Sequence, residues 1–295
     1  MRLFRVFVAP EYPATAPRSW LAGALNFALV FGLLVLVFYF SFHQLNYHWR
    51  WDAVFEHRRK FFHGWLTTIW ISLASLGLSI GIGLLLALGQ RSRFLPLRWL
   101  SKIYVEAVRG TPLLVQILVF FYVVADAFGV GNRYLVGVLT LSSFSGAYIS
   151  EVIRAGIESV GQSQLESARA IGLTRGQTYR YVVFPQALRQ TLPPLAGQFV
   201  SLIKDSSLLS IIGISEFTWN ARDITANTYT TLEAYLPLAA GYLILTLPIS
   251  LGRGGWRSNT GMRPRPAGPI GTQPPGWSSG SVLGDCISTP AVLRP

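Results

Sequence analysis

A single cysteine, Cys286, in 295 residues excludes an internal disulfide framework and any multi-cysteine zinc or iron–sulfur site. Charge is scarce as well. Only 13% of the residues are charged against 51% apolar, and the mean hydropathy is positive, which is too little polarity to coat a soluble globule of this length. No GxxxxGK[ST] loop with an acidic partner strand occurs, so this chain is not expected to hydrolyse ATP. It also has no nucleophile elbow, no HExxH and no Ser/His/Asp arrangement in a plausible setting, and no catalytic residue is assigned. His43, His48, His57 and His63 lie in or beside one loop, but nothing in their spacing enforces four convergent ligands, and no metal site is assigned. A net charge of +12 would suit nucleic acid, yet Lys and Arg fall at the ends of apolar runs and in the tail, without an aromatic-interleaved basic patch. Nucleic acid is therefore set aside as a partner, and the lipid bilayer is expected.

Long apolar runs dominate what is present. A spanning helix needs about 20 mostly apolar residues, and six segments meet or approach that length: Leu21–Ser41, Trp65–Leu88, Ile103–Ala125, Tyr134–Ile153, Leu192–Ile212 and Ala234–Leu251. The expected fold class is an all-α integral membrane protein of about six transmembrane helices over residues 21–251. The first run is too long for a signal-peptide core and lacks a small-residue cleavage site behind it, so it is expected to remain as an anchor. Basic residues orient the spans. Arg2, Arg5, Arg18, Arg91, Arg93, Arg98, Lys102, Arg154, Arg169, Arg175, Arg180 and Arg189 collect on one side, which places both termini, including residues 1–20, and the segment 161–192 in the cytoplasm. Arg58, Arg59 and Lys60 on the other side run against this trend, and Trp49, Trp51 and Trp65 at the edges of that loop read as an aromatic belt. Beyond Leu251 the composition turns to Gly, Pro, Ser and Arg with no apolar period. Residues 252–295 are expected to be a disordered tail, or the product of a shifted reading frame in GC-rich DNA.

Between the fourth and fifth apolar runs lies a polar segment, Ser163–Pro185, for which lipid has no use. Ser163 with Glu166, and Thr174 with Gln177, have the spacing of two capping boxes, with Gly172 between them suited to a left-handed turn. Leu165, Ala168 and Ile171 recur every three residues, an apolar strip suited to a groove on a partner. Glu166, Ser167 and Ala168, then Gly172, then Val182, Phe184 and Pro185 after a nine-residue gap, resemble the EAA loop of ABC importer permeases. Ser167, Val182 and Phe184 are departures from its usual residues. The resemblance implies that residues 161–192 dock an ATPase, and it marks Glu166, Ser167, Ala168, Gly172 and Pro185 as coupling residues beside Leu165 and Ile171.

Other runs extend the resemblance over most of Lys102 to Arg222. The third span opens with Glu106, Arg109, Gly110, Thr111 and Pro112, then Gln116. Pro112 frees backbone carbonyls in the preceding turn. Either Glu106 and Arg109 pair at i, i+3 beside a simple kink, or Thr111 and Gln116 line a polar route; EAVRGTPLLVQ is similar to a stretch of histidine/glutamine-type polar amino acid permeases. In the fifth span, Lys204 and Asp205 sit deep in an apolar run, where charge is costly and marks either a substrate route or a fixed ion pair; with Ser206 they belong to a Lys-Asp-x-Ser-Leu run that is part of the family pattern. Glu151, Arg154 and Glu158 share one helix face as a charge row, and Ser143, Ser145, Gly146 and Ala147 would let helices approach closely.

The resemblance implies an extra N-terminal helix before a five-helix permease core in a bacterial inner membrane. It implies a second permease chain, identical or related, an ATP-binding subunit that carries ATP and Mg, an extracytoplasmic solute-binding protein, and an amino acid substrate moved inward by alternating access. No cofactor is expected on this chain. The rival is a self-sufficient secondary transporter or channel in which Lys204, Asp205 and Glu151 handle ions directly. It leaves the polar segment without a task. A membrane anchor for a signalling complex would need an appended soluble domain.

Overall fold

The computed structural model describes residues 20–44 and 47–259. Every regular element described is helical. In order they are α1 (Trp20–Gln44), α2 (Trp51–Glu56), α3 (Arg58–Gln90), α4 (Leu95–Gly110), α5 (Leu113–Val119), α6 (Arg133–Glu158), α7 (Gln162–Ala170), α8 (Arg175–Thr178), α9 (Phe184–Asp205), α10 (Phe217–Thr228) and α11 (Thr231–Asn259). A π-helical turn over Phe120–Ala125 prolongs α5, a second over Tyr179–Val183 joins α8 to α9, and a 3-10 segment, Ser206–Ile212, ends α9. Five helical stretches are long and apolar enough to cross a membrane, and the α4–α5 pair makes a sixth if it counts as one span.

The expected span near Ile103–Ala125 is corrected. It is a broken pair whose two arms differ by 110°. The cause is local: Pro112 has no N–H to continue α4, and its ring pushes Thr111 out of the helical region, to φ −117 and ψ 143. Pro193 and Pro194, by contrast, are accommodated within α9. The helix that carries the fifth span starts well before Leu192, because the helical stretch from Arg175 to Ile212 is continuous and its first turns belong to the polar segment. The last helix extends past Leu251 to Asn259, so residues 252–259 of the expected tail are helical; residues 260–295, and residues 1–19 at the other end, lie outside the described residues.

The chain forms two compact units. In the first (residues up to Leu73, Ile117–Val138 and Asp205–Leu243), Phe61, Phe217, Ala221, Ile224, Ala234 and Leu238 form a buried core, with Val54, Trp65 and Tyr242 packed against it. Its polar groups are tied off pairwise: Lys60 pairs with Asp223, and Glu233 accepts from the Tyr47 hydroxyl and the Arg50 amide. Glu216 caps α10 by accepting from the amides of Thr218 and Trp219 at 2.8 and 2.7 Å.

The second unit comprises Ala74–Gln116, Leu139–Lys204 and the residues from Ile244. Here α3 and α6 approach through glycine. A Cβ on Gly83 would lie 2.6 Å from Ile149, and one on Gly146 would lie 2.7 Å from Ile82. The small residues anticipated for close approach on α6 thus serve a helix crossing. Gln90 on α3 reaches Ser150 on α6, and Tyr104 on α4 donates to the Ser143 carbonyl.

Candidate functional site

The polar segment folds as a helical hairpin. Helix α7 begins at Gln162 with Gly161 as its N-cap and no side-chain cap. Ser163 therefore lies one residue inside the helix, and the expected Ser163–Glu166 capping box does not form. The C-terminus matches expectation. Gly172 takes φ +78, the Leu173 amide donates to the Ala168 carbonyl at 3.1 Å, and the Gly172 amide donates to Arg169 at 3.0 Å. This paired closure requires a left-handed residue at Gly172. The Thr174–Gln177 box forms in full: the Gln177 amide donates to Thr174 Oγ1 at 3.3 Å, and the Thr174 amide donates to Gln177 Oε1 at 2.9 Å.

The expected apolar strip is split, which corrects the reading of Leu165, Ala168 and Ile171 as one partner-facing row. Ala168 is buried and Leu165 half-buried. Leu165 lines a cavity of about 280 Å³ with Ile157, Val160, Leu173, Thr178 and Val183 of its own unit. Ile171 is 76% exposed. Glu166, Ser167 and Gly172 are exposed beside it, and Pro185 is half-buried at the start of α9. The inner side of α7 holds the hairpin to the chain, and its outer side presents Glu166, Ser167 and Ile171.

At the break between α4 and α5 the structure brings Thr111 and Gln116 together. Gln116 is buried, and its Nε2 donates to the Val108 carbonyl at 2.7 Å, to the Thr111 carbonyl at 3.1 Å and to Thr111 Oγ1 at 2.7 Å. Thr111 Oγ1 in turn donates to the Ala107 carbonyl at 2.9 Å. The carbonyls released by Pro112 are thus satisfied by side chains only a few residues away.

Arg109 does not pair with Glu106, which corrects that expectation. Its guanidinium lies 3.6 Å from Glu151 and 5.4 Å from the centre of the Tyr148 ring, both on α6. Arg154 holds Glu151 and Glu158, each at 2.7 Å, so the charge row forms as its spacing suggests. Glu106, Glu151, Arg154 and Glu158 share the wall of a cavity of about 890 Å³ with Arg98 and Lys102. Of the deep fifth-span residues, Ser206 is fully buried, Asp205 half-buried and Lys204 exposed. Lys204 makes no ion pair among the described residues. Sequence reasoning missed Glu216, whose capping role needed only the helix start at Phe217 to be seen, and Glu233, whose partners lie far away along the chain. Among the described residues no group of three or more His, Cys, Asp or Glu is placed to hold a metal.

Residues 79–253 match the family described as binding-protein-dependent transport system inner membrane component. The chain is 34% identical over 202 residues to the glutamine transport system permease protein GlnP of Escherichia coli (strain K12), covering 68% of this chain and 92% of that one. It is 41% identical over 186 residues to the L-cystine transport system permease protein TcyB of Bacillus subtilis (strain 168), covering 62% and 79%. Among solved structures it resembles an amino acid ABC transporter crystallised with histidines, at 33% identity and a TM-score of 0.68, covering 72% of this chain and all of that one.

Proposed function

Because this chain belongs to the family of binding-protein-dependent transport system inner membrane components, we propose that it is the permease subunit of an ABC importer that carries polar amino acids across a bacterial inner membrane. The observation that carries this reading is the α7–α8 hairpin. It is a capped, polar element that adds no apolar length to any span and presents Glu166, Ser167 and Ile171 outward. A separate ATP-binding subunit, holding ATP and Mg, docks on that outer side. Two permease chains, two such subunits and an extracytoplasmic solute-binding protein make the working assembly.

The inner side, half-buried Leu165 and buried Ala168, attaches the hairpin to α6 and to the π-helical turn before α9. Closure of the ATPases then moves hairpin and spans together, and the route alternates between the two faces of the membrane. Thr111, Gln116, Lys204, Asp205 and Ser206 border the route. Gln116 and Thr111 hold a broken helix in one geometry, and mixed-charge walls such as those of the 890 Å³ cavity suit a zwitterionic cargo.

The test is co-purification of the ATPase. Gly172→Val forces a β-branched residue to φ +78, a strain of about 1 to 2 kcal/mol. It is expected to leave the permease inserted and paired with its sister chain, while it lowers ATPase recovery and abolishes substrate-stimulated ATP hydrolysis. Wild-type stimulation with Gly172→Val would contradict the proposal.

A further inference from the structure

The first unit contains a furrow of about 410 Å³ at the start of a membrane-spanning helix, along α2 and the first turns of α3. Trp51 and Phe55 of α2 and Phe62 and Trp65 of α3 wall it, over a floor that includes buried Phe61 and Phe217. On α3 the positions Arg58, Phe61, Phe62 and Trp65 follow i, i+3, i+4, i+7, so one helix stripe runs from a guanidinium into an aromatic channel. Among the described residues, Arg58 is the only charged one lining the furrow.

Both Arg58 and Arg59 are exposed, and among the described residues neither has an acidic partner. The Arg58 guanidinium donates to the Phe55 carbonyl at 3.0 Å. Lys60 next to them is spent on Asp223. Asp52 and Glu56 of α2 do not line the furrow. Trp51 stacks on Trp49 with ring planes 1° apart, and such aromatic clusters at the end of a span settle at headgroup depth. Cations beside an apolar channel at that depth match a molecule with an anionic head and an acyl tail.

We propose that this furrow is a binding site for an anionic phospholipid, with the phosphate at Arg58, the exposed Arg59 adding positive charge outside the furrow, and an acyl chain along Phe55, Phe62 and Trp65. The site is independent of the transport reading and stands or falls by lipid binding alone. Native mass spectrometry of the purified full chain, titrated with phosphatidylglycerol or with phosphatidylcholine of the same acyl chains, measures it. The wild type should prefer phosphatidylglycerol by on the order of tenfold, from two cations near the headgroup plane. Arg58→Gln with Arg59→Gln should erase that preference, while Phe55→Ser with Phe62→Ser should weaken both lipids. No preference in the wild type, or one that survives the double Gln change, would overturn the site. So would a double Gln variant that keeps its lipid preference and instead loses attachment of a soluble binding protein, which would assign the surface to a protein partner.

Discussion

Gln116 shows how a break in a membrane helix is made tolerable. Pro112 ends α4, and the Nε2 of one buried amide then serves the Val108 carbonyl, the Thr111 carbonyl and the Thr111 hydroxyl. Unsatisfied buried carbonyls cost about 1 to 3 kcal/mol each. Gln116→Leu should therefore lower the thermal midpoint of the detergent-solubilised chain far more than Thr111→Val, which frees only the carbonyl of exposed Ala107 and leaves those of Val108 and Thr111 served by Gln116. Equal midpoints for the two variants would refute this role. Glu216 supports a second prediction, since it lies outside the spans and is fully buried. Burial pushes its carboxyl up to about 7, against the opposing pull of the α10 amides it accepts from. A raised folded-state pKa contributes stability that is complete below the ordinary carboxyl range and lost as pH rises toward about 7; from the usual 4.5 the shift corresponds to roughly 3 kcal/mol. The wild-type midpoint should fall between about pH 5 and pH 7, and Glu216→Gln should flatten that part of the profile.

At the scale of elements, the α7–α8 hairpin and the α3–α6 crossing make different demands on sequence. In the hairpin, Thr174→Ala removes a formed cap worth about 1 kcal/mol, and hydrogen exchange over Arg175–Thr178 should quicken while the spans keep their protection. Ser163→Ala should leave exchange unchanged, because Gly161 caps α7. At the crossing, a Cβ on Gly83 would approach the Gly146 carbonyl to 3.0 Å as well as Ile149. Gly83→Leu should consequently impair folding of the second unit, seen as loss of monodisperse protein in detergent. These cases also show what could be read from sequence. Gly172 and the Thr174–Gln177 box follow local rules of turn and cap, and the structure agrees with them residue by residue. The Ser163–Glu166 spacing satisfies the same rule, but the helix starts at Gln162, so the match in spacing forms no cap. Arg109 had a plausible local partner in Glu106. Packing of α4 against α6 supplied Glu151 and Tyr148 instead, and helical spacing carries no information about a neighbour about 40 residues away. The Leu165–Ala168–Ile171 period suggested a strip facing a partner, yet Leu165 and Ala168 are turned inward, with Leu165 lining a cavity beside Val160, Thr178 and Val183. Pro112 announced a break, while neither its 110° angle nor the hydrogen bond from Gln116 to the Val108 carbonyl could be read from residue spacing.

For the whole molecule, apolar length and the distribution of Lys and Arg together propose six crossings with the hairpin inside. Reporter fusions within Arg169–Arg180 should read as cytoplasmic and fusions near Asp223 as external; a cytoplasmic signal at Asp223 would dismantle that topology. On the proposed function, this chain moves its cargo only when a separate ATPase drives it through the hairpin. The most direct measurement is uptake of radiolabelled glutamine and other polar amino acids into proteoliposomes containing the permease, its ATP-binding subunit and its solute-binding protein, with ATP enclosed on the ATPase side. Uptake of at least one polar amino acid that stops without ATP, without the ATPase, or with Gly172→Val is the predicted result. Uptake by the permease alone, driven by an ion gradient, would contradict the account and favour a self-sufficient transporter.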